Sequence, residues 1–334
     1  MPTIAFVYDS TRLGHANAAV RYARALRPLT ANVLERALTP EEWLNLSDKD
    51  LPEAELIFQC FIPPQLRPLA GRVNVAVVFH EWDLMPKAWA ELMNRFDAVV
   101  ASSSYLAGVF ARSGCAVPIH TVPIPVEPDK IPSRDNWECA EPFRFLSVGE
   151  WHFRKGFHLL INAFLNAFPE PGAAELVIKT SADADYRPPA PHVAVATGAV
   201  PEEDLLALYS RFDAYVTTTL AEGFGLPVVE AMAAGLPVVA PTWSGLADFC
   251  GEGRSFELPF LLAPQPYCSK PDYFAPGQRC AIVDLESCSA ALRRIAAMEA
   301  AQREAVAVKA GEFVKKNFNV EIVGKRLLEL AGTL

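Results

Sequence analysis

Residues 213–241 read DAYVTTTLAEGFGLPVVEAMAAGLPVVAP. The β-branched and aromatic run from Asp213 to Thr219 predicts a strand, and the glycine-punctuated AEGFG predicts a turn leaving its C-terminal end. Leu226–Ala234 then reads as a helix, with Pro227 in the first turn, where a missing N–H leaves no bond unmade, and Gly235 as its stop. LPVVA follows as the next strand. Strand, helix and strand in this order make a βαβ unit, the building block of a parallel sheet.

The same alternation runs through the whole chain. TIAFVYD, NVLE, AELIFQC, VNVAVVF, FDAVVAS and PIHTVP read as six strands of a first half, and FRFLSVG, ELVIKT, HVAVAT, FDAYVTT, LPVVAP and RCAIVDL as six of a second. The expected fold is α/β: two Rossmann-like, doubly wound parallel-sheet domains facing a central cleft, with ligands beyond the C-terminal strand ends. Its 334 residues are enough for two domains, each with its own core. We place the first over 1–140 and the second over 141–315, with a C-terminal helix over 316–334 reaching back to the first. The proline- and charge-rich VEPDKIPSRDNWECAEP, 126–142, reads as an exposed linker. In KGFHLLINAFLNAF, residues Phe157, Leu160, Ile161, Phe164, Leu165 and Phe168 recur at helical spacing, so these aromatics are core.

With 51% apolar against 21% charged residues, the composition excludes a largely disordered chain, and a net charge of −9 argues against a nucleic-acid partner. The sequence contains neither an apolar run of membrane-spanning length nor a signal-peptide start, so a cytoplasmic location is expected, with the inner membrane face as its peripheral variant. Seven cysteines stand singly, which suits reduced thiols better than disulfides or a zinc site. Arg21, Arg24 and Arg27 fall three apart on the first helix, near Arg12 and Arg36. A solvated face is the simpler reading of that stripe; a face for an acidic acceptor or an anionic bilayer is the other.

Glu222 and Glu230 bracket the glycine loop. Carboxylates only accept hydrogen bonds, so two of them facing one volume suit a ligand rich in hydroxyl groups. Gly223 and Gly225 allow close approach, and the amides of Phe224, Gly225 and Leu226 then point at a ligand above a helix N-terminus. A second cluster opens the second half: in SVGEWHFRKGF, Arg154 and Lys155 sit where the next helix begins, a suitable site for an anion such as diphosphate. Taken singly, either cluster also fits an ordinary helix start.

Together the E-x7-E stretch EGFGLPVVE, the following EAMAAGLPVVA and the RKG segment resemble the retaining glycosyltransferases of the GT-B fold, family four in particular, over nearly the whole chain. That resemblance implies metal-independent transfer of a sugar from a nucleotide diphosphate sugar, the co-substrate, to the hydroxyl of a glycan, lipid-linked or small-molecule acceptor. It implies that Glu222 bonds the donor sugar, Glu230 the ribose, Phe224 to Leu226 offer backbone amides, and Arg154 and Lys155 neutralise the diphosphate. Lys179 resembles a strand end bordering the nucleoside, His80 a histidine near the reacting sugar, and Gly14 with His15 the glycine loop on the acceptor side. Many members carry a further arginine where this chain has Glu150, which leaves Arg154 as the expected phosphate partner. Asp183 and Asp185 form a D-x-D triplet of the kind that holds a metal in an unrelated fold, but their loop is irregular and Arg154 and Lys155 already supply positive charge, so no metal and no further cofactor is expected. The competing readings are a catalytically silent subunit of the same fold, and an epimerase acting on the same class of donor.

Overall fold

The computed structural model describes residues 2–30, 32–51, 53–139, 141–181, 186–265 and 273–334. Two compact units emerge: one holds residues 1–126, 264–279 and 317–334, the other 127–263 and 280–316. The chain therefore crosses between units four times, where the sequence suggested a cut near residue 140 and one returning helix.

In the first unit a six-stranded, all-parallel sheet is built from β1 (Ile4–Asp9), β2 (Val33–Leu38), β3 (Leu56–Cys60), β4 (Val73–Val77), β5 (Ala98–Ala101) and β6 (Ile119–Thr121), in the order β2-β1-β3-β4-β5-β6. Helices α1 (Leu13–Leu26), α2 (Pro40–Asn45), α3 (Lys87–Met93) and α4 (Ser104–Arg112) lie in the connections. The central strands β3 and β5 are buried at every position, as parallel strands covered on both faces must be.

The second unit repeats the plan with β7 (Phe143–Val148), β8 (Ala174–Lys179), β9 (Val193–Ala196), β10 (Ala214–Val216), β11 (Val238–Ala240) and β12 (Phe256–Glu257), ordered β12-β11-β10-β7-β8-β9, again all parallel. Between them run α5 (Phe157–Ala167), α6 (Glu202–Tyr209) and α7 (Leu226–Ala233). The apolar stripe of α5 is core: Phe157, Leu160, Ile161 and Phe164 are buried, with Leu165 and Phe168 packed against them. One strand assignment changes. RCAIVDL forms β14 (Arg279–Val283), which pairs with β13 (Phe260–Pro264) in a separate two-stranded sheet, and the sixth place in the main sheet goes to the two-residue β12. So short a strand has no periodicity to read.

Three helices complete the chain: α8 (Leu285–Ala296), α9 (Ala300–Asn317) and α10 (Val320–Thr333). Helix α10 packs on α1 through Val323, Leu327 and Leu330. At Gly324 the helices approach so closely that a Cβ would collide with the carbonyl of Ala25, which is why a residue poor in helix propensity stands mid-helix.

The proline-rich connection is not a free linker. Arg134 donates from its backbone to the Ala234 carbonyl at 2.8 Å, and its guanidinium pairs with Asp213 at 3.0 Å while bonding the Phe212 carbonyl. Trp137 Nε1 adds a 2.9 Å bond to the Gly235 carbonyl. Asp213 is 3% exposed, so removing Arg134 strands a buried charge. Arg134→Met is expected to lower stability by about 3 kcal/mol, read as the shift in urea midpoint of the full chain.

The basic stripe on α1 also breaks up. Arg21 is 8% exposed and reaches the Pro125 carbonyl at 3.4 Å, Arg27 pairs with Glu35, and Arg36 bonds the Asp50 carbonyl. Arg21 is turned inward, while Arg27 stays on the surface beside its partner. Among the described residues no helix is long and apolar enough to cross a membrane.

Candidate functional site

In the second sheet the strand order reverses between β7 and β10. The β7 connection departs to β8 on one side, while β10 lies on the other, so the loops leaving β7 and β10 part company at the C-terminal edge. Such a reversal opens the crevice where doubly wound sheets hold ligands. The β7 loop carries Glu150, Arg154 and Lys155; the β10 loop carries Glu222 to Gly225.

Both loops feed a helix through a left-handed glycine. Gly156 (φ 68°) precedes α5 and Gly225 (φ 100°) precedes α7, and neither helix has a side-chain cap. Only glycine fits either place: a Cβ on Gly156 would collide with the Thr218 carbonyl, and one on Gly225 with the Leu246 side chain. Uncapped first-turn amides are satisfied by water or by a ligand, and the helix dipole favours an anion there.

The loops are stitched together. Leu220 N donates to the Arg154 carbonyl at 2.7 Å, Thr218 Oγ1 to the Gly156 carbonyl at 2.8 Å, and Arg154 NH1 to the Ala221 carbonyl at 2.7 Å. From behind, Ala281 N on β14 donates to the Leu220 carbonyl at 2.9 Å, so the strand missing from the main sheet braces this loop instead.

At the centre lies an ion triad that joins the two motifs across sixty-seven residues. Lys155 Nζ stands 2.6 Å from Glu222 Oε1, and Arg154 NH1 stands 3.0 Å from Glu222 Oε2. Thr219 Oγ1 donates to Oε1 at 3.1 Å. Burial works against ionisation of Glu222, but Lys155 and then Arg154 outweigh it and hold the carboxyl down at about 2. A carboxylate offers four acceptor directions. Oε1 uses two on Lys155 and Thr219, and Oε2 uses one on Arg154, which among the described residues leaves Oε2 an open direction. Lys155 has three donors and Arg154 five, so neither is exhausted by the carboxylate.

That depressed ionisation has a measurable sign. A carboxyl lowered from 4.5 to about 2 on folding gives stability that is complete above pH 4.5 and lost as the pH falls toward 2. Between pH 6 and pH 3 the wild type is expected to lose roughly 2 kcal/mol more than Glu222→Gln, measured by urea unfolding at both values.

Glu230, 3% exposed on α7, accepts from Tyr209 OH at 3.0 Å through Oε2. Phe224 is buried edge-on against Phe249. Lys179, at the end of β8, is 7% exposed and donates to the carbonyls of Thr180, at 3.0 Å, and Gly198, tying the ends of β8 and β9 together. Glu150 accepts from Ser181, which latches the β7 loop to the β8 loop. Asp183 and Asp185 lie outside the described residues, as does Cys268; the other six cysteines are free. Among the described residues no group of three or more His, Cys, Asp or Glu gathers as a metal site.

His80, Gly14 and His15 belong to the first unit. His80 is 2% exposed, its Nε2 lies 2.8 Å from the Leu84 carbonyl and its ring stands edge-on to Trp89, the environment of a structural histidine. Gly14 has no atom within 4 Å of where a Cβ would sit, so close approach is not what requires glycine there. His15 follows β1 at the reversal of the first sheet, 4.9 Å from Phe79. Burial, then the Arg12 charge, lowers its pKa to about 4, so it is neutral above that pH. Sequence reasoning passed over Thr219, whose only signal is a threonine run.

Comparison with known proteins agrees with this architecture. Residues 142–267 match the family model described as glycosyl transferases group 1. O-antigen chain mannosyltransferase B of Escherichia coli is 44% identical over 55 residues, 16% of this chain and 14% of that protein. The putative colanic acid biosynthesis glycosyltransferase WcaL of Salmonella typhimurium is 22% identical over 288 residues, 79% of this chain and 65% of that one. The chain thus spans about a seventh of the first relative and just under two thirds of the second. Among solved structures, Anabaena HepE in complex with UDP-glucose superposes with a TM-score of 0.73 at 18% identity, with both chains fully covered. The fold is GT-B.

Proposed function

We propose that this chain, which carries a glycosyl transferases group 1 domain on a GT-B fold, is a retaining glycosyltransferase that moves a sugar from a nucleotide diphosphate sugar to an acceptor hydroxyl in bacterial glycan or glycoconjugate synthesis. The second unit binds the donor and the first the acceptor. One observation carries the reading: Arg154, Lys155 and Glu222 converge where the second sheet's strand order reverses, beside two uncapped helix N-termini.

The chemistry follows from charge. As the bond from the anomeric carbon to the diphosphate oxygen breaks, the electron pair leaves with the phosphate. Arg154, Lys155 and the α5 and α7 amides stabilise that growing negative charge, already aimed before the reaction starts. Glu222 faces the sugar as an ionised acceptor, and its open Oε2 direction takes a sugar hydroxyl. The acceptor oxygen forms its bond on the face the phosphate leaves, and the acceptor proton passes to the departing phosphate oxygen. Retention at the anomeric carbon results. Glu230, shared with Tyr209, takes the ribose hydroxyls, and Lys179 lies toward the nucleoside.

Incubation with a panel of uridine, guanosine, adenosine and thymidine diphosphate sugars tests the reading. Release of nucleoside diphosphate that rises with added acceptor, with retained anomeric configuration in the product by NMR, supports transfer. Tight nucleotide binding without turnover would favour a silent subunit, for which the replacement of an arginine by Glu150 speaks.

A further inference from the structure

The turn Trp243–Ser244–Gly245 follows β11 and has no place in the donor chemistry just described. It nonetheless grips Glu222 from both ends of the residue. Glu222 N donates to Ser244 Oγ at 2.8 Å, and Gly245 N donates to the Glu222 carbonyl at 2.8 Å. Trp243 Nε1 reaches the Leu220 carbonyl at 3.2 Å. Gly245 lies so close to the loop that a Cβ would come within 2.5 Å of the Gly223 carbonyl oxygen.

Ser244 itself is 1% exposed and held at φ 58°, in the left-handed region where a side chain is a cost. Glycine would take the same backbone freely. What serine adds is a hydroxyl, and that hydroxyl accepts from the amide of the residue whose carboxylate closes the ion triad. A strained residue kept for one bond points to a function for the group it holds.

We propose that Ser244 is a positioning residue for sugar transfer: by fixing the Glu222 peptide it aims the carboxylate at Arg154, Lys155 and the donor sugar. The inference rests on the donor-site reading above, and one arm of its test does not. A turn that merely supports the fold would, when altered, weaken stability, nucleotide affinity and turnover together.

Two variants separate these cases. Ser244→Ala removes the acceptor and keeps the backbone cost, while Ser244→Gly removes both. With UDP-glucose as donor and UDP as a sugar-free ligand, both variants are expected to lower kcat for UDP release about 10-fold or more while the Kd of UDP stays within about two-fold. Ser244→Gly melts no lower than the wild type. Wild-type kcat in Ser244→Gly overturns the proposal, and so does a loss of UDP affinity in step with kcat. If wild type releases no UDP from UDP-glucose, that choice of donor fails and the donor-free arm decides. There the extra acid destabilisation separating wild type from Glu222→Gln shrinks by half or more in Ser244→Ala; an unchanged difference means that Ser244 does not position the carboxylate.

Discussion

Glu222→Gln is expected to lower kcat for sugar transfer by about 10²–10³-fold while binding of the bare nucleoside diphosphate stays equal or tightens. The two halves of that result have one cause. In the resting site the carboxylate is the partner of both cations, at 2.6 and 3.0 Å. Glutamine keeps the shape and removes the charge, so Lys155 and Arg154 face an incoming diphosphate without a competitor. The reacting sugar meanwhile loses an ionised acceptor whose carboxylate is buried, where such charge matters more than at the surface. Steady-state kinetics and calorimetry with the diphosphate product read the two effects separately. A fall in both together would mean that the substitution has collapsed the loop.

Arg154→Ala is expected to act in the opposite sense on binding. A charge-assisted bond is worth about 1.5–3 kcal/mol, so nucleoside diphosphate affinity falls about 10- to 100-fold. The loop itself stays in place, because Leu220 N donates to the backbone carbonyl of Arg154, which alanine retains. Arg154→Lys restores charge without the planar fork and recovers only part of the affinity. Affinity unchanged in Arg154→Ala, measured by titration calorimetry, removes Arg154 from the donor site.

Much of the fold was legible because its strands are short apolar runs bounded by turn residues, and its helices carry clean apolar stripes. The βαβ unit over 213–241 is built as its glycines and proline dictate, with β10, α7 and β11 in sequence. The failures have physical reasons. β12 is two residues long, and β14 has the composition of a core strand yet pairs elsewhere, since pairing partners are a tertiary choice. The connection over 126–142 is exposed along much of its described length, as its prolines and charges suggest, but it is tied down at Arg134 and Trp137. Arg134 finds backbone carbonyls and Asp213 that no local pattern announces.

In the site, residue types were legible and partners were not. The sequence suggested hydroxyl acceptors at Glu222 and Glu230 and cations at Arg154 and Lys155. It did not suggest that the cations hold Glu222 themselves, that Tyr209 holds Glu230, or that Lys179 spends its ammonium on two carbonyls. The first pairing depends on loops that meet only when β7 and β10 lie side by side, and the others join α6 to α7 and the ends of β8 and β9. Ser244 is the plainest case: its left-handed backbone is visible only in three dimensions.

A crystal structure with a bound nucleoside diphosphate tests the central claim most directly. The account predicts the diphosphate against Arg154 and Lys155, at the N-termini of α5 and α7 and beside the Glu222 carboxylate. A diphosphate bound elsewhere, with Glu222 still closed on both cations and no phosphate between the two helix starts, would contradict it.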